Sequence, residues 1–170
     1  MPTIWLNLFP NMPDHFIIRD YRPEDFAAVT ILWRIAREKS LPEFQRLKGH
    51  FFYEDQDYFR AHVLRENKVF VVEDANRPVA FMAMRDGFID HLYVHPEFQK
   101  RGIGKMLLDY ARQLSPEHVW LYTLQINVNA RAFYEKNGFT PEKFGESPPP
   151  ESEPDVEYHW RNPGSSQQKL

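Results

Sequence analysis

The sequence predicts one α/β domain: a mixed sheet with helices on its faces. Short runs rich in valine and aromatics alternate with amphipathic segments of helical period. Tight-turn signals separate the strand candidates. The chain has 170 residues, the length of one ordinary domain, and its 42% hydrophobic content suffices for a core.

Residues 1–14 form an N-terminal leader, apolar in patches (Ile4, Trp5, Leu6, Leu8, Phe9) and interrupted by Pro10 and Pro13. Phe16 to Arg19 is a short strand. Pro23 opens a helix at a favoured first position, with Phe26, Val29, Trp33 and Ala36 as its apolar face. A second helix covers Glu54 to Arg65. Lys68 to Glu73 and Pro78 to Met84 are strands that form a hairpin about the turn Asp74 to Arg77. Asp86-Gly87 is a tight-turn signal, and Phe88 to Val94 is the strand after it. Ile103 to Leu114 is a helix. Its apolar residues Ile103, Met106, Leu107, Tyr110, Ala111 and Leu114 make one clean face. Val119 to Thr123 is a strand, and Asn129 to Asn137 is a helix stopped by Gly138. Phe139 to Phe144 and Val156 to Trp160 are strands flanking a proline-rich loop, Ser147 to Pro154. The tail 162–170 is polar.

Net charge is -3 and the pI about 6.2, which argues against nucleic acid as the main partner. With no cysteine, disulfides, thiolate metal sites and a cysteine nucleophile are excluded. No apolar run approaches the roughly 18 residues of a membrane span, and no basic segment precedes the apolar patches of the leader. The expectation is a cytoplasmic protein with no membrane partner.

The densest chemical signal is Gln99-Lys100-Arg101-Gly102-Ile103-Gly104, between a strand and a helix. A helix N-terminus offers unpaired N–H groups and the positive end of a dipole, and glycine lets an anion approach the backbone. Lys100, Arg101 and Lys105 add charge. The physics points to phosphate or pyrophosphate, with a solvated basic turn as the alternative. Neither the Walker A loop nor the dinucleotide fingerprint is present.

The segment Leu92-Tyr93-Val94-His95-Pro96 through Gly104 resembles motif A of GNAT N-acetyltransferases, a strand ending V-x-P followed by Q/R-x-x-G-x-G/A. Downstream, Asn127-x-x-Ala130-x-x-Phe133-Tyr134-Glu135-Lys136-x-Gly138-Phe139 resembles motif B of the same superfamily. The resemblance runs from about Phe16 to Trp160. It implies a single GNAT-like domain over residues 15–161, with a mixed, mostly antiparallel central sheet flanked by helices. It implies acetyl-CoA as donor, an amine acceptor and no metal. Cofactor contacts would come from Leu92, Tyr93 and Val94, from Gln99 through Lys105 (Gly102, Ile103 and Gly104 included), and from Asn127 and Asn129. The resemblance puts Tyr134 at the thioester sulfur as general acid, and an N–H of the splayed strand, that of Val94, at the oxyanion.

The general base is less marked. Many family members carry a glutamate on the strand before motif A, whereas here the strand reads Phe88-Ile89-Asp90-His91-Leu92. Asp90 and His91 are both candidates. Period two puts Asp90 on the face of Leu92 and Val94 and His91 on the other. Water or an upstream residue is the alternative. His91 and His95 lie roughly 13 Å apart along a strand, too far for one metal.

The aromatics Phe44, Phe51, Phe52, Tyr53, Tyr58 and Phe59 are candidates for an acceptor pocket or for ordinary packing, with Glu43, Glu54, Asp55 and Asp57 as nearby carboxylates. A small-molecule amine is the leading acceptor. A protein N-terminus or lysine is the second, and a silent acyl-CoA-binding module is a reading of another class. An exposed edge near Val156 to Trp160 would allow a homodimer.

Overall fold

The computed structural model describes residues 16–149 and 151–164; the leader 1–14 and all of the tail beyond Gly164 lie outside the described residues. Seven strands form one sheet in the order β1-β2-β3-β4-β5-β7-β6. They are β1 (Phe16–Asp20), β2 (Lys68–Asp74), β3 (Arg77–Arg85), β4 (Phe88–Val94), β5 (His118–Leu124), β6 (Thr140–Glu146) and β7 (Pro154–Arg161). All neighbours are antiparallel except β4 and β5.

The helices are α1 (Phe26–Ser40), α2 (Pro42–Lys48), α3 (Phe52–Tyr58), α4 (Leu64–Glu66), α5 (Ile103–Leu114) and α6 (Val128–Lys136). A 3-10 turn at Pro23–Asp25 leads into α1, and a π-helical turn at Phe59–Val63 joins α3 to α4. The helix expected at Glu54 to Arg65 is thus longer and not uniform. The sequence reading passed over α2, a seven-residue helix with no buried residue and so no apolar stripe to reveal it.

The sheet separates two cores, and its central strands are buried on both faces, so they read as continuous apolar runs. On one face Val29, Leu32 and Trp33 of α1 pack with Val69, Val71, Phe81 and Ala83. On the other, α5 sets Ile103, Met106, Leu107, Leu108 and Ala111 against Phe70, Val72, Met82, Ile89, Val119 and Leu121. Leu108 belongs to that buried face, whereas Leu114, the last residue of α5, is half exposed.

Two expectations are corrected. The first concerns the sheet edge. β7 lies between β5 and β6, so Val156 to Trp160 is interior; the edges are β1 and β6. β6 is exposed throughout and carries Pro141, Glu142, Lys143 and Glu146, residue types that discourage further strand pairing. The second concerns β4. Ala83 pairs with His91 and Met84 with Ile89, so Asp90 is the extra residue of a β-bulge. The bulge resets the alternation and brings Asp90 to the side of His91.

β1 is tied to α1 by charge. Arg19 donates to Asp25 at 2.7 and 2.9 Å and to Glu73 at 2.6 Å, and Asp25 also accepts the Arg22 N–H at 2.8 Å. All three side chains are largely buried. Burial works against the charge on Asp25, but the Arg19 and Arg22 hydrogen bonds outweigh it and hold its carboxyl below the usual range. Removing one partner leaves the others charged and desolvated. Arg19→Ala is therefore expected to cost about 3 kcal/mol, read as a lower urea midpoint with an unchanged slope.

Candidate active site

β4 and β5 share only two paired positions, Phe88 with Trp120 and Ile89 with Leu121. Beyond them the strands part. His95 donates its N–H to Val79 at 2.8 Å, which fixes the phase of the β3–β4 ladder. By the alternation of an antiparallel pair, Tyr93 and His91 bond to β3, while the N–H and C=O of Leu92 and Val94 point toward the opening. The Gln99 amide donates to the Val94 carbonyl at 3.2 Å, leaving the Val94 N–H available. Tyr93 differs from its neighbours. Its ring stacks on Phe81, 5.8 Å between centroids, on the α1 side.

The loop after β4 leads into α5 through two left-handed residues, Lys100 (φ 62°) and Gly102 (φ 84°). Successive residues of opposite hand aim their N–H groups into one concavity, the geometry of an anion nest. No atom lies within 4 Å of where a Gly102 Cβ would stand, so the concavity is open there. Lys105 pairs with Asp109 at 2.5 Å and Arg101 lies over Phe98, so Lys100 is the least committed of the three cations. A Cβ on Gly104 would meet Phe133 at 2.9 Å; that close approach couples α5 to α6.

α6 carries Tyr134. Asn127 caps the helix, its Oδ1 accepting the Ala130 N–H at 3.1 Å, while Asn129 is exposed. Tyr134 is 9% exposed and packs on Phe133, Phe139 and Tyr158. Burial first, and the neighbouring Tyr93 second, raise its pKa well above the ordinary phenol value, so the hydroxyl keeps its proton.

On the α1 side of the opening lies a cleft of about 520 Å³. Trp33, Phe44, Tyr58, Tyr93 and Tyr122 supply its aromatic walls, and Glu54, Asp55, Asp90, Glu151 and Asp155 its carboxylates. Of the six aromatics singled out by sequence, only Phe44 and Tyr58 line it. Phe59 is core, and Phe51 stacks on Tyr53 at the surface. Glu43 and Asp57 pair with Arg46 and Arg60 in solvent. Sequence reasoning missed Trp33, Arg37 and Asp155 as cleft residues. The first two are on α1, whose stripe reads as core. Asp155 opens a strand whose orientation only the pairing with β5 and β6 fixes.

A family model for the acetyltransferase (GNAT) domain matches residues 65–141. The peptidyl-lysine N-acetyltransferase YjaB of Salmonella typhimurium is 29% identical over 123 residues, 72% of this chain and 81% of that protein. The peptidyl-lysine N-acetyltransferase YiaC of Escherichia coli is 27% identical over 124 residues, 72% and 82% of the two chains. The solution structure of apo-form YjaB from E. coli aligns with a TM-score of 0.74 at 22% identity, covering 86% of this chain and 98% of that one. These matches identify a GNAT acetyltransferase domain in this chain at residues 65–141.

As a GNAT N-acetyltransferase it is an acyltransferase whose donor is acetyl-CoA. Among the described residues no group of three or more His, Asp or Glu could hold a metal, and no helix is long and apolar enough to cross a membrane.

The two base candidates of this GNAT enzyme stand together, not on opposite faces. Asp90 Oδ2 is 3.7 Å from His91 Nε2. Asp90 is committed, accepting from Asn67 at 2.8 Å and Arg85 at 3.2 Å. His91 sits edge-on to Trp33 at 5.3 Å, and burial pushes its pKa down to about 4 against the lift from Asp90. It is a neutral ring at physiological pH and a weak base. Because the folded pKa is below the unfolded one (about 6.5), the unfolded chain binds the proton first. Stability is then lost as pH falls from about 6.5 toward 4. An NMR titration should show the His91 ring unchanged between pH 8 and about 5.5, and His91→Phe should flatten the acid limb of stability.

Proposed function

We propose that this acetyltransferase moves the acetyl group of acetyl-CoA to the side-chain amine of a lysine in a peptide or protein. The cleft carries the reading. Aromatic walls with carboxylates between them suit a slim alkyl stem that ends in a cation. Two relatives named peptidyl-lysine N-acetyltransferases support it.

The chain's own residues fit the donor. The unpaired N–H and C=O of Leu92 would pair with the pantetheine arm as an added strand does, while the Val94 carbonyl keeps its Gln99 donor. The concavity from Gln99 to Gly104, with Lys100, Arg101 and Lys105 about it, would take the pyrophosphate. Asn127 and Asn129, at the start of α6, would flank the arm. The bound thioester supplies an activated acetyl group. The Val94 N–H would stabilise the oxyanion, and Tyr134, held protonated by burial, would give its proton to the leaving sulfur.

A small free amine is the second reading. Lys48 of α2 donates to the Glu151 carbonyl at 2.8 Å and pairs with the Glu153 carboxylate. That strap ties the loop after β6 across one side of the cleft, which favours narrow acceptors.

CoA release measured with lysine peptides, their N-acetyl-terminated forms, polyamines and free amino acids separates the two. Turnover of terminally blocked lysine peptides is expected. Turnover of free amines alone would move the acceptor to the second reading. Tyr134→Phe should lower kcat by about 100-fold while acetyl-CoA still binds.

A further inference from the structure

Acetyl transfer needs a neutral amine, and neither residue expected to make one is suited to it. Asp90 is held by Arg85 and Asn67, and His91 is a weak base. The other cleft carboxylates divide by what already holds them. Asp55 is 2% exposed and pinned by Arg34 at 2.8 Å and Arg37 at 2.6 Å. Glu54 accepts the Phe51 N–H at 2.7 Å. Glu151 sits on the exposed loop.

Asp155 differs from all of these. It is 8% exposed, faces the cleft, and no side chain among the described residues donates to or pairs with its carboxylate. Its backbone is fixed. It pairs with Leu124 of β5 and Gly145 of β6, and its carbonyl accepts the Gln125 amide at 2.9 Å. Gly145 makes room for it, since a Cβ there would stand 3.1 Å from Asp155 Oδ1.

Resting on the lysine-acetylation reading above, we propose that Asp155 is the general base that takes the proton of the acceptor ammonium. Burial and, after it, the like charge of Glu157 raise the Asp155 pKa, which Lys143 on β6 partly offsets and Glu146 adds to. Tyr122, the remaining titratable neighbour on β5, is engaged with Glu157 and keeps its proton. A raised carboxyl pKa suits a base working near neutrality.

The protons balance. One leaves the ammonium for Asp155 and passes from there to water. The nitrogen attacks the acyl carbon, the C–N bond forms and the C–S bond breaks. The nitrogen's second proton replaces the one that Tyr134 gives to the sulfur. The products are an amide, a thiol and one released proton.

The test compares wild type with Asp155→Asn on two peptides, one bearing lysine and one bearing an oxyamine analogue whose nitrogen is already neutral at pH 7. Acetyl-CoA binding by each variant checks that the fold is intact. Asp155→Asn should lower kcat on the lysine peptide by about 100-fold, with recovery as pH rises toward the amine's own pKa, and leave the oxyamine peptide unaffected. Asp155→Glu should restore part of the lysine activity. Equal losses on both peptides, or a loss confined to KM, would overturn the proposal and make Asp155 a positioning or cation-binding group. If wild type acetylates only free amines, the lysine reading fails by itself. The same comparison, run with a reactive amine and its oxyamine analogue, then still decides the role of Asp155.

Discussion

β4 and β5 run parallel and are joined at two residue pairs before they separate. Backbone N–H and C=O groups in a sheet interior are strongly driven to pair, so this parting has to be stabilised by everything around it. The bulge at Asp90 bends β4 just past the last pair, and β7 and β6 hold β5 on the other side of the gap. α5 begins at the mouth of the gap with its unpaired N–H groups, and α6 closes one flank with Tyr134. The opening thus has unpaired peptide groups on its edge and a separate cleft on the α1 face.

Charge in that cleft is divided between structure and chemistry. Arg37 lies 4.2 Å over the Trp33 ring and pairs with Asp55, so a cation, an indole and a carboxylate neutralise one another at the junction of α1 and α3. Arg85 and Asn67 do the same for Asp90 at the end of the hairpin. Such pairs fix the walls but have little left for a ligand. What remains is an aromatic surface and a few unpaired carboxylates, a combination that discriminates by charge and by width.

Much of this was legible in the residues. β4 and α5 fall where periodicity puts them, Phe88–Val94 and Ile103–Leu114, because both have a strong apolar pattern and Asp86-Gly87 and Gly102 to punctuate them. Motifs A and B were readable because their chemistry is local, a loop and a helix start. The cleft was not, because it is assembled from α1, α2, β5, β7 and a loop more than a hundred residues away from α2. Lys48 gives no sign in sequence that it meets Glu151. The facing of Asp90 was misjudged because a bulge adds one residue, and period two flips every assignment across it.

The π-helical turn at Phe59–Val63 gives the chain one residue more than a regular helix would need there. Phe59 and Val63 are both in the core, so the register beyond the turn is locked. Tyr58, immediately before it, faces the cleft. Deleting one residue in that turn would rewind it and rotate α3 by about 100° about its axis, carrying Tyr58 and Asp55 out of the cleft while leaving both sheet faces covered. The cleft wall is therefore set by the length of this turn, and re-cutting it would also break the buried Asp55 pairs with Arg34 and Arg37 that join α3 to α1.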